Sequence, residues 1–231
     1  MTYRHFLLDL DDTLLDFKAS ERLSFHRTLA SFGVDLPPSG MFTDYQRENQ
    51  NLWLDFENGR VAKEFLKVER FRRTFANHGL DADPYSASRF YLECLPETVV
   101  LVDGARELCE ALVLVGEVGI ITNGIDYVQS KRIEHSGLSD LLSFVATSES
   151  CGYAKPDPRF FEFTANKFHA FTKRDAIIVG DRLDADILGA HRYGIDSCWF
   201  NASRSVNETD LKPTYESFSL QDVAMRITAD R

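Results

Sequence analysis

The sequence contains no long hydrophobic run. Its longest apolar stretches, such as residues 111–115, fall far short of the roughly 20 apolar residues that a membrane-spanning helix needs. Only three apolar residues stand between His5 and Asp9, too few for the apolar region of a signal peptide. We therefore expect no membrane partner, no export and a cytoplasmic location.

Cysteine is also scarce. The four cysteines, Cys94, Cys109, Cys151 and Cys198, are scattered and include no Cys-x-x-Cys pair. This usage is typical of reduced, mostly buried thiols in a cytosolic protein rather than of a disulfide framework.

Positive charge is in the minority, with 26 lysine and arginine residues against 36 aspartate and glutamate residues and a formal net charge of −10. A nucleic-acid groove or an anionic membrane surface requires clustered positive charge, so we expect neither as the main partner. A small anionic substrate stays open, because a bound metal ion or a few local cations can reverse the field inside one cleft.

Several catalytic signatures are missing. The sequence has no Gly-x-x-x-x-Gly-Lys loop, no Gly-x-Ser-x-Gly turn and no pair of histidines four residues apart. These absences argue against a P-loop, a serine-hydrolase turn and a zinc-binding helix.

What the sequence does contain is a change of pattern near Pro96. With 231 residues, of which 44% are hydrophobic, the chain is large enough for one to two domains with a real core. Residues 16–95 predict helices only, because apolar residues recur at helical spacing before Gly33, Gly59, Gly79 and Pro96. This pattern predicts a four-helix bundle.

From Pro96 onward the pattern alternates between helices and short apolar strands. We predict helices near residues 105–115, 125–135, 158–168 and 185–193, and strands near 118–121, 144–147, 176–179 and 197–200. With residues 5–8 as a first strand, the alternation predicts a parallel sheet covered by helices on both faces. The chain is therefore interpreted as an α/β core, residues 1–15 and 96–231, with residues 16–95 inserted after the first strand as a helical cap.

Polar residues follow three of the predicted strands where each one ends. They are Asp9 and Asp11 after the first strand, Thr122 and Asn123 after the second, and Asp181 and Asp186 after the fourth. Lys155 stands in the loop before Pro156. Because ligands of an open parallel sheet bind outside the carboxyl ends of the strands, we expect these side chains to converge on one site.

These residue types point to phosphoryl transfer. Asp9, Asp11 and Asp181 would repel one another unless a hard cation lay between them, which predicts Mg²⁺, with Mn²⁺ as the alternative. A carboxylate that is ionised at neutral pH attacks phosphorus without a general base and forms an aspartyl-phosphate. The other candidate roles are Asp11 as acid and base, Thr122 and Asn123 as hydrogen-bond donors to the phosphoryl oxygens, and Lys155 as their counter-charge.

Taken in order, these residues resemble the four motifs of the phosphatase branch of the haloacid dehalogenase superfamily. The motifs are Asp9, Asp11 and Thr13; Thr122; Lys155 before Pro156; and Gly180 and Asp181 with Asp186. The resemblance covers the whole chain and implies a Rossmann-like core with a mobile helical cap. It implies Asp9 as nucleophile and metal ligand, Asp11 as general acid and base with its main-chain carbonyl on Mg²⁺, Thr122 as phosphate donor, Lys155 as charge anchor, Asp181 as third protein ligand, and Asp186 orienting Lys155 or metal waters.

One residue departs from the family pattern. Arg182 stands where relatives usually carry a small Ser or Thr beside the metal-binding aspartate. An adjacent guanidinium that faced the site would weaken metal binding, and we expect it to point outward instead.

The substrate is narrowed only by a weaker resemblance. The stretch 44–59 is similar to the cap of bacterial pyrimidine 5′-nucleotidases. Two further parts of the chain are similar to these proteins, namely residues 122–124 with Gln129, Lys131 and Arg132, and residues 198–201. This similarity implies a nucleoside monophosphatase acting on pyrimidine nucleotides, with Trp53 or Phe56 near the base.

Three alternatives stay open at this stage. A sugar-phosphate phosphatase or phosphomutase has the same core and differs in the cap. A 2-haloacid dehalogenase normally lacks the second acid, so Asp11 counts against it. A catalytically idle binding protein is disfavoured by the intact Asp9, Asp11, Lys155 and Asp181. We expect a monomer or a small homo-oligomer.

Overall fold

A computed structural model of the chain describes residues 3–228, which form two compact units. One unit comprises the chain up to Phe17 and from Val99 onward, and the other is Lys18–Thr98. In the described range, no helix is both long enough and apolar enough to cross a bilayer.

The unit boundaries differ slightly from the predicted ones. The Asp16 amide donates to the Val100 carbonyl at 2.9 Å, which keeps both residues in the first unit. The Ser20 hydroxyl donates to the Thr98 carbonyl at 2.7 Å, which keeps both of these in the second. The division therefore lies after Phe17 and after Thr98, rather than after residues 15 and 95.

The first unit is built on a six-stranded parallel sheet. Its strands are β1 (His5–Asp9), β2 (Glu117–Thr122), β3 (Phe144–Thr147), β4 (Ala176–Gly180), β5 (Asp196–Phe200) and β6 (Tyr215–Ser217). They lie in the order β3-β2-β1-β4-β5-β6, and every neighbouring pair is parallel. This architecture confirms the predicted Rossmann-like α/β class.

Both faces of this sheet are buried. Successive strand side chains point to opposite faces, so Phe6 and Leu8 of β1 join one apolar cluster while Leu7 joins a second. All five residues of β1 are buried. A strand that is apolar on both faces fits only inside a sheet covered on both sides, which explains the short apolar runs in the sequence.

The second unit contains the four predicted helices, α1 (Phe17–Ser31, which begins at the boundary), α2 (Met41–Glu57), α3 (Lys63–His78) and α4 (Pro84–Cys94). Tyr45, Phe71 and Tyr91 meet in its core, with ring centroids 5.1–5.7 Å apart. The guanidinium of Arg70 is also buried, and it donates to the Asn49 side chain at 3.0 Å. The core of this unit therefore combines tilted and edge-on ring contacts with a buried polar network.

The helices of the first unit follow the predicted alternation, with two additional helices. They are α5 (Ala105–Val113), α6 (Asp126–Ser136), α7 (Ser148–Cys151), α8 (Pro158–Ala165), α9 (Leu188–Tyr193) and α10 (Leu220–Thr228). The sequence analysis missed α7, β6 and α10. Two of these are four residues or shorter, too short for periodicity to show. The helix predicted near 185–193 instead starts with a π-helical turn, Leu183–Ile187.

Gly119 provides a test of the sheet packing. A Cβ at this position of β2 would lie 2.1 Å from Cζ of Phe144 on β3, whose ring packs against Phe168 with centroids 4.8 Å apart. We predict that Gly119→Ala lowers the free energy of unfolding by about 1–3 kcal/mol, because the core cannot take up the extra methyl group. Denaturant unfolding measures the loss. In a Phe144→Ala background the loss should largely disappear; an equal loss in both backgrounds would contradict the packing explanation.

Candidate active site

Three strands of the first unit end at one place. Asp9 is the last residue of β1, Thr122 is the last residue of β2, and Asp181 directly follows β4. β1 lies between β2 and β4, so the strand order reverses at β1. In open α/β sheets, ligands bind outside the carboxyl ends of the strands at such a reversal.

The Lys155 ammonium lies at the centre of this group. Its Nζ donates to Asp9 Oδ1 at 2.5 Å, to Asp186 Oδ1 at 2.7 Å and to the Ile121 carbonyl at 3.1 Å. Burial by itself lowers the pKa of Lys155, but the two carboxylates outweigh it and hold the pKa above its ordinary value. All three N–H groups have partners, so Lys155 is a fixed positive charge.

Asp9 is held from both of its oxygens. Besides the Lys155 contact on Oδ1, the Thr13 hydroxyl donates to Oδ2 at 3.2 Å. Burial is the largest influence on this carboxyl. Together with the charge of Asp186, and against the effect of Lys155, it raises the pKa of Asp9 to about 7. The carboxylate therefore depends on positive charge to stay ionised.

Asp186 reaches the site because Gly180 has no side chain. A Cβ at Gly180 would lie 2.3 Å from Cγ of Asp186, closer than any side chain can approach. Asp186 sits in the π-helical turn and also accepts the Arg182 amide at 3.2 Å. Its two oxygens are thus used by Lys155 and by the main chain.

Asp181 carries the one carboxylate oxygen of the site that is buried without a partner. Oδ1 of Asp181 has no hydrogen bond within residues 3–228. Burial, followed by the charge of Asp9, raises the pKa of Asp181 to about 8. Carboxylate oxygens of Asp9, Asp181 and Asp186 all lie within 4.8 Å of one another. A buried oxygen without a partner among clustered carboxylates fits a hard divalent cation.

The Asp11 side chain is engaged by α6. Gln129 Nε2 donates to its Oδ2 at 2.6 Å, and Arg132 Nη1 donates to its Oδ1. Arg132 is 1% exposed and Gln129 is 2% exposed. The sequence analysis named both residues only within a resemblance, and gave neither a role. Their spacing of three on a helix, starting seven residues after Thr122, is the signal that could have pointed to them.

Thr122 and Asn123 differ in what their side chains contact. The Thr122 hydroxyl lies at the end of β2 and accepts from Gln129 Nε2 at 2.9 Å. The Asn123 amide instead bonds the main chain of Lys155, donating to its carbonyl at 3.0 Å and accepting from its N–H at 2.8 Å. Asn123 therefore fixes Lys155 through its side chain, and the hydrogen bond from Asn123 to a phosphoryl oxygen stays a prediction.

The Arg182 guanidinium is paired with the carboxylate of Asp184. Nε and Nη2 donate to the two carboxylate oxygens of Asp184 at 3.0 and 2.7 Å, and Asp184 is exposed. Asp181 is instead fixed through its main chain, because Trp199 Nε1 donates to its carbonyl at 2.8 Å.

Comparisons with known proteins point to one protein family. A family model described as haloacid dehalogenase-like hydrolase matches residues 3–194. Pyrimidine 5′-nucleotidase PynA of Streptococcus pneumoniae is 34% identical over 226 residues, covering 96% of this chain and 94% of PynA. Pyrimidine 5′-nucleotidase YjjG of Escherichia coli is 29% identical, covering 96% and 97%. A crystal structure of the HAD-hydrolase YfnB of Bacillus subtilis bound to magnesium is 31% identical, with a TM-score of 0.92 over 99% of this chain and 100% of that one.

We expect metal binding at the carboxylate cluster to depend on pH. The pKa values of Asp9 and Asp181 are raised in the folded protein. Without metal, the folded protein therefore binds protons that the unfolded chain has already released. The free energy of unfolding consequently falls as the pH rises from about 5 to 8. Mg²⁺ must displace those protons, which weakens its apparent affinity by about tenfold per pH unit for each proton below the pKa. We predict that Mg²⁺ raises the melting temperature more at pH 8 than at pH 6.

Thermal unfolding in EDTA and in Mg²⁺ measures this difference. Asp181→Asn should lose the Mg²⁺-dependent increase, while Asp184→Asn, which changes an exposed carboxylate beside the cluster, should keep it. An equal Mg²⁺ effect at both pH values would contradict the prediction.

Proposed function

This chain belongs to the haloacid dehalogenase-like hydrolase family and is a phosphoric monoester hydrolase, and we propose that it hydrolyses nucleoside 5′-monophosphates, with pyrimidine nucleotides as the preferred substrates. We propose that the reaction is Mg²⁺-dependent and passes through an aspartyl-phosphate on Asp9. The observation that carries the proposal is the buried Lys155 ammonium bridging Asp9 and Asp186, beside the partnerless carboxylate oxygen of Asp181.

Asp9 is the proposed nucleophile. Its carboxylate oxygen forms a bond to phosphorus while the bond from phosphorus to the ester oxygen of the substrate breaks. Two contacts, from Lys155 and Thr13, leave the carboxylate little freedom to rotate, which is the positioning that phosphoryl transfer requires. A water then attacks phosphorus, releasing inorganic phosphate and restoring Asp9.

Asp11 is the proposed acid and base. It would give a proton to the departing alkoxide in the first step and take one from the attacking water in the second. In the structure its carboxylate is bonded to Arg132 and Gln129. We therefore propose that the Asp11 side chain rotates away from α6 to reach the leaving oxygen.

The remaining residues stabilise charge. Lys155 would offset the charge of the transferring phosphoryl group, and the Thr122 hydroxyl and the Asn123 main chain would donate to its oxygens. Asp9, Asp181 and the main-chain carbonyl of Asp11 would hold Mg²⁺, or Mn²⁺ in its place, and the ion when bound supplies further positive charge beside those oxygens. Asp186 holds Lys155 in place.

The substrate class is proposed from the similarity to two relatives and from two aromatic side chains of the second unit. The relatives PynA and YjjG are named pyrimidine 5′-nucleotidases. In α2, Trp53 and Phe56 are both half-buried, with rings perpendicular and centroids 5.7 Å apart, and Lys63 Nζ lies 4.8 Å from the Phe56 ring. We propose that one of these rings contacts the base, because aromatic faces bind heterocycles by stacking.

A screen of phosphate monoesters tests the proposed function. We expect pyrimidine nucleoside 5′-monophosphates to be hydrolysed with the highest kcat/KM and the activity to vanish in EDTA. Asp9→Asn should reduce kcat to below about one-thousandth of the wild type while leaving the far-UV spectrum unchanged, because the nucleophile is lost and the fold is not.

The same screen separates the alternatives. A preference for sugar phosphates would replace the nucleotidase assignment, and chloride release from a 2-haloacid in EDTA would indicate a dehalogenase. Absence of turnover on every ester would leave only a binding protein. Retained activity in Asp9→Asn would overturn the nucleophile assignment.

A second prediction concerns Asp11. Asp11→Asn removes the proposed base for the second step, so the phospho-enzyme should accumulate and kcat should fall by about 10²–10⁴-fold. Intact-protein mass spectrometry after mixing with substrate would detect the added phosphoryl group, and the Asp9→Asn, Asp11→Asn double variant is the control that should show none. Rapid turnover of Asp11→Asn without a phosphorylated species would contradict the role.

A further inference from the structure

Helix α6 brings two buried polar side chains to the end of β2. Gln129 and Arg132 lie one turn apart, with 2% and 1% of their surfaces exposed, beside Thr122, which is also 1% exposed. A buried amide or guanidinium is costly unless its hydrogen-bonding groups are used. The hydrogen-bond partners of Gln129 therefore identify which of its side-chain atoms donates and which accepts.

The orientation of the Gln129 amide is fixed by its two charged neighbours. A guanidinium can only donate, and Arg132 Nη1 lies 2.8 Å from Oε1 of Gln129. The carboxylate of Asp11, paired with Arg132, accepts from Nε2 at 2.6 Å. An amide flipped by 180° would place donor against donor and acceptor against acceptor. Oε1 therefore faces Arg132, and Nε2 faces Asp11 and Thr122.

This orientation determines the polarity of the Thr122 hydroxyl, that is, in which hydrogen bonds it accepts and in which it donates. The second hydrogen of Nε2 is donated to Thr122 Oγ1 at 2.9 Å, and the Gly124 amide donates to the same oxygen at 3.0 Å. A hydroxyl has two acceptor lone pairs and one hydrogen. Both bonds that the structure describes for this hydroxyl within residues 3–228 are bonds that it accepts, so its hydrogen is directed to a further acceptor.

Gly124 shows how closely this arrangement is packed. A Cβ at Gly124 would lie 2.3 Å from Nε2 of Gln129 and 2.6 Å from its Cδ. The loop after β2 thus approaches the Gln129 amide at a distance that only glycine permits. The short approach lets the Gly124 amide and the Gln129 amide reach the same oxygen of Thr122.

We propose that Gln129, oriented by Arg132, is a positioning residue that commits the Thr122 hydroxyl to donate its hydrogen bond to the phosphoryl group in transfer. The assignment of that acceptor as a phosphoryl oxygen rests on the proposed function. The polarity of the hydroxyl rests only on the hydrogen bonds of Gln129. Neither Gln129 nor Arg132 touches the reacting atoms in this assignment, and both act through Thr122.

Two substitutions at Gln129 separate polarity from packing. Gln129→Glu keeps the size and the contact with Arg132 but turns the donor into an acceptor, so the Thr122 hydroxyl would donate to Glu and be lost to the substrate. Gln129→Met removes the donor and leaves the hydroxyl free to rotate. We expect kcat to fall about 10–100-fold in Gln129→Glu, by less in Gln129→Met, and not at all in Gln50→Glu, a matched change at an exposed glutamine of α2.

A double-mutant cycle tests whether the effect passes through Thr122. In a Thr122→Val background, which has no hydroxyl, Gln129→Glu should cause no further loss of kcat, whereas in a Thr122→Ser background the loss should remain. Glutamate at position 129 also lies next to Asp11, and a loss through that repulsion would persist in both backgrounds. An equal loss in the Val and Ser backgrounds overturns the proposal.

Binding of inorganic phosphate in the presence of Mg²⁺ gives a readout without turnover. Calorimetry should show about tenfold weaker phosphate binding in Gln129→Glu, with the same dependence on the Thr122 background. If the wild type hydrolyses no ester, the proposed function fails, yet this binding cycle still decides the role of Gln129. Unchanged phosphate affinity in Gln129→Glu overturns the role even if the enzyme is an active nucleotidase.

Discussion

The contact between the Lys155 ammonium and two buried carboxylates is the interaction on which the site depends. Asp9 ends β1, whereas Asp181 and Asp186 both follow β4, and carboxylates held this close would not remain ionised without a cation among them. Lys155 supplies one charge, shared between Asp9 and Asp186, and its ammonium also bonds the end of β2 through Ile121. It therefore links the end of β1, which carries Asp9, to the π-helical turn after β4, which carries Asp186. Removing either partner of such a buried pair leaves an uncompensated charge, which is among the costliest changes in a protein interior.

The single charge of Lys155 does not satisfy the whole cluster. The raised pKa values of Asp9 and Asp181 and the partnerless oxygen of Asp181 show a site with more negative charge than its own residues offset. A chain with a net charge of −10 can bind an anionic substrate there only if positive charge is concentrated locally. This excess of negative charge supports the proposal that a divalent cation completes the site.

The residues that face the site are held in place by other residues behind them. Asn123 fixes the main chain of Lys155, Trp199 fixes the main chain of Asp181, and Gly180 admits the side chain of Asp186. On the other side, α6 holds Asp11 and Thr122 through Gln129 and Arg132. These hydrogen bonds restrict the rotamers of the supporting groups and fix the side chains in front of them, and only Nε and Nη2 of Arg132 among these groups are buried without a partner in residues 3–228.

Reading along the chain alone predicts the α/β class, the inserted helical segment, and the set of strand ends that carry polar residues. It does so because apolar runs of strand length and helical periodicity are local signals, and because parallel strands bring their carboxyl ends to one edge. The sequence by itself therefore determined which strand ends meet. Only the tertiary structure decided how the side chains are paired: Asn123 with the Lys155 main chain, Asp11 with Gln129 and Arg132 of α6, and a π-helical turn where a regular helix was expected. These pairings join residues up to 121 positions apart, and they follow from rotamers and burial that are settled when the elements pack, not from spacing along the chain.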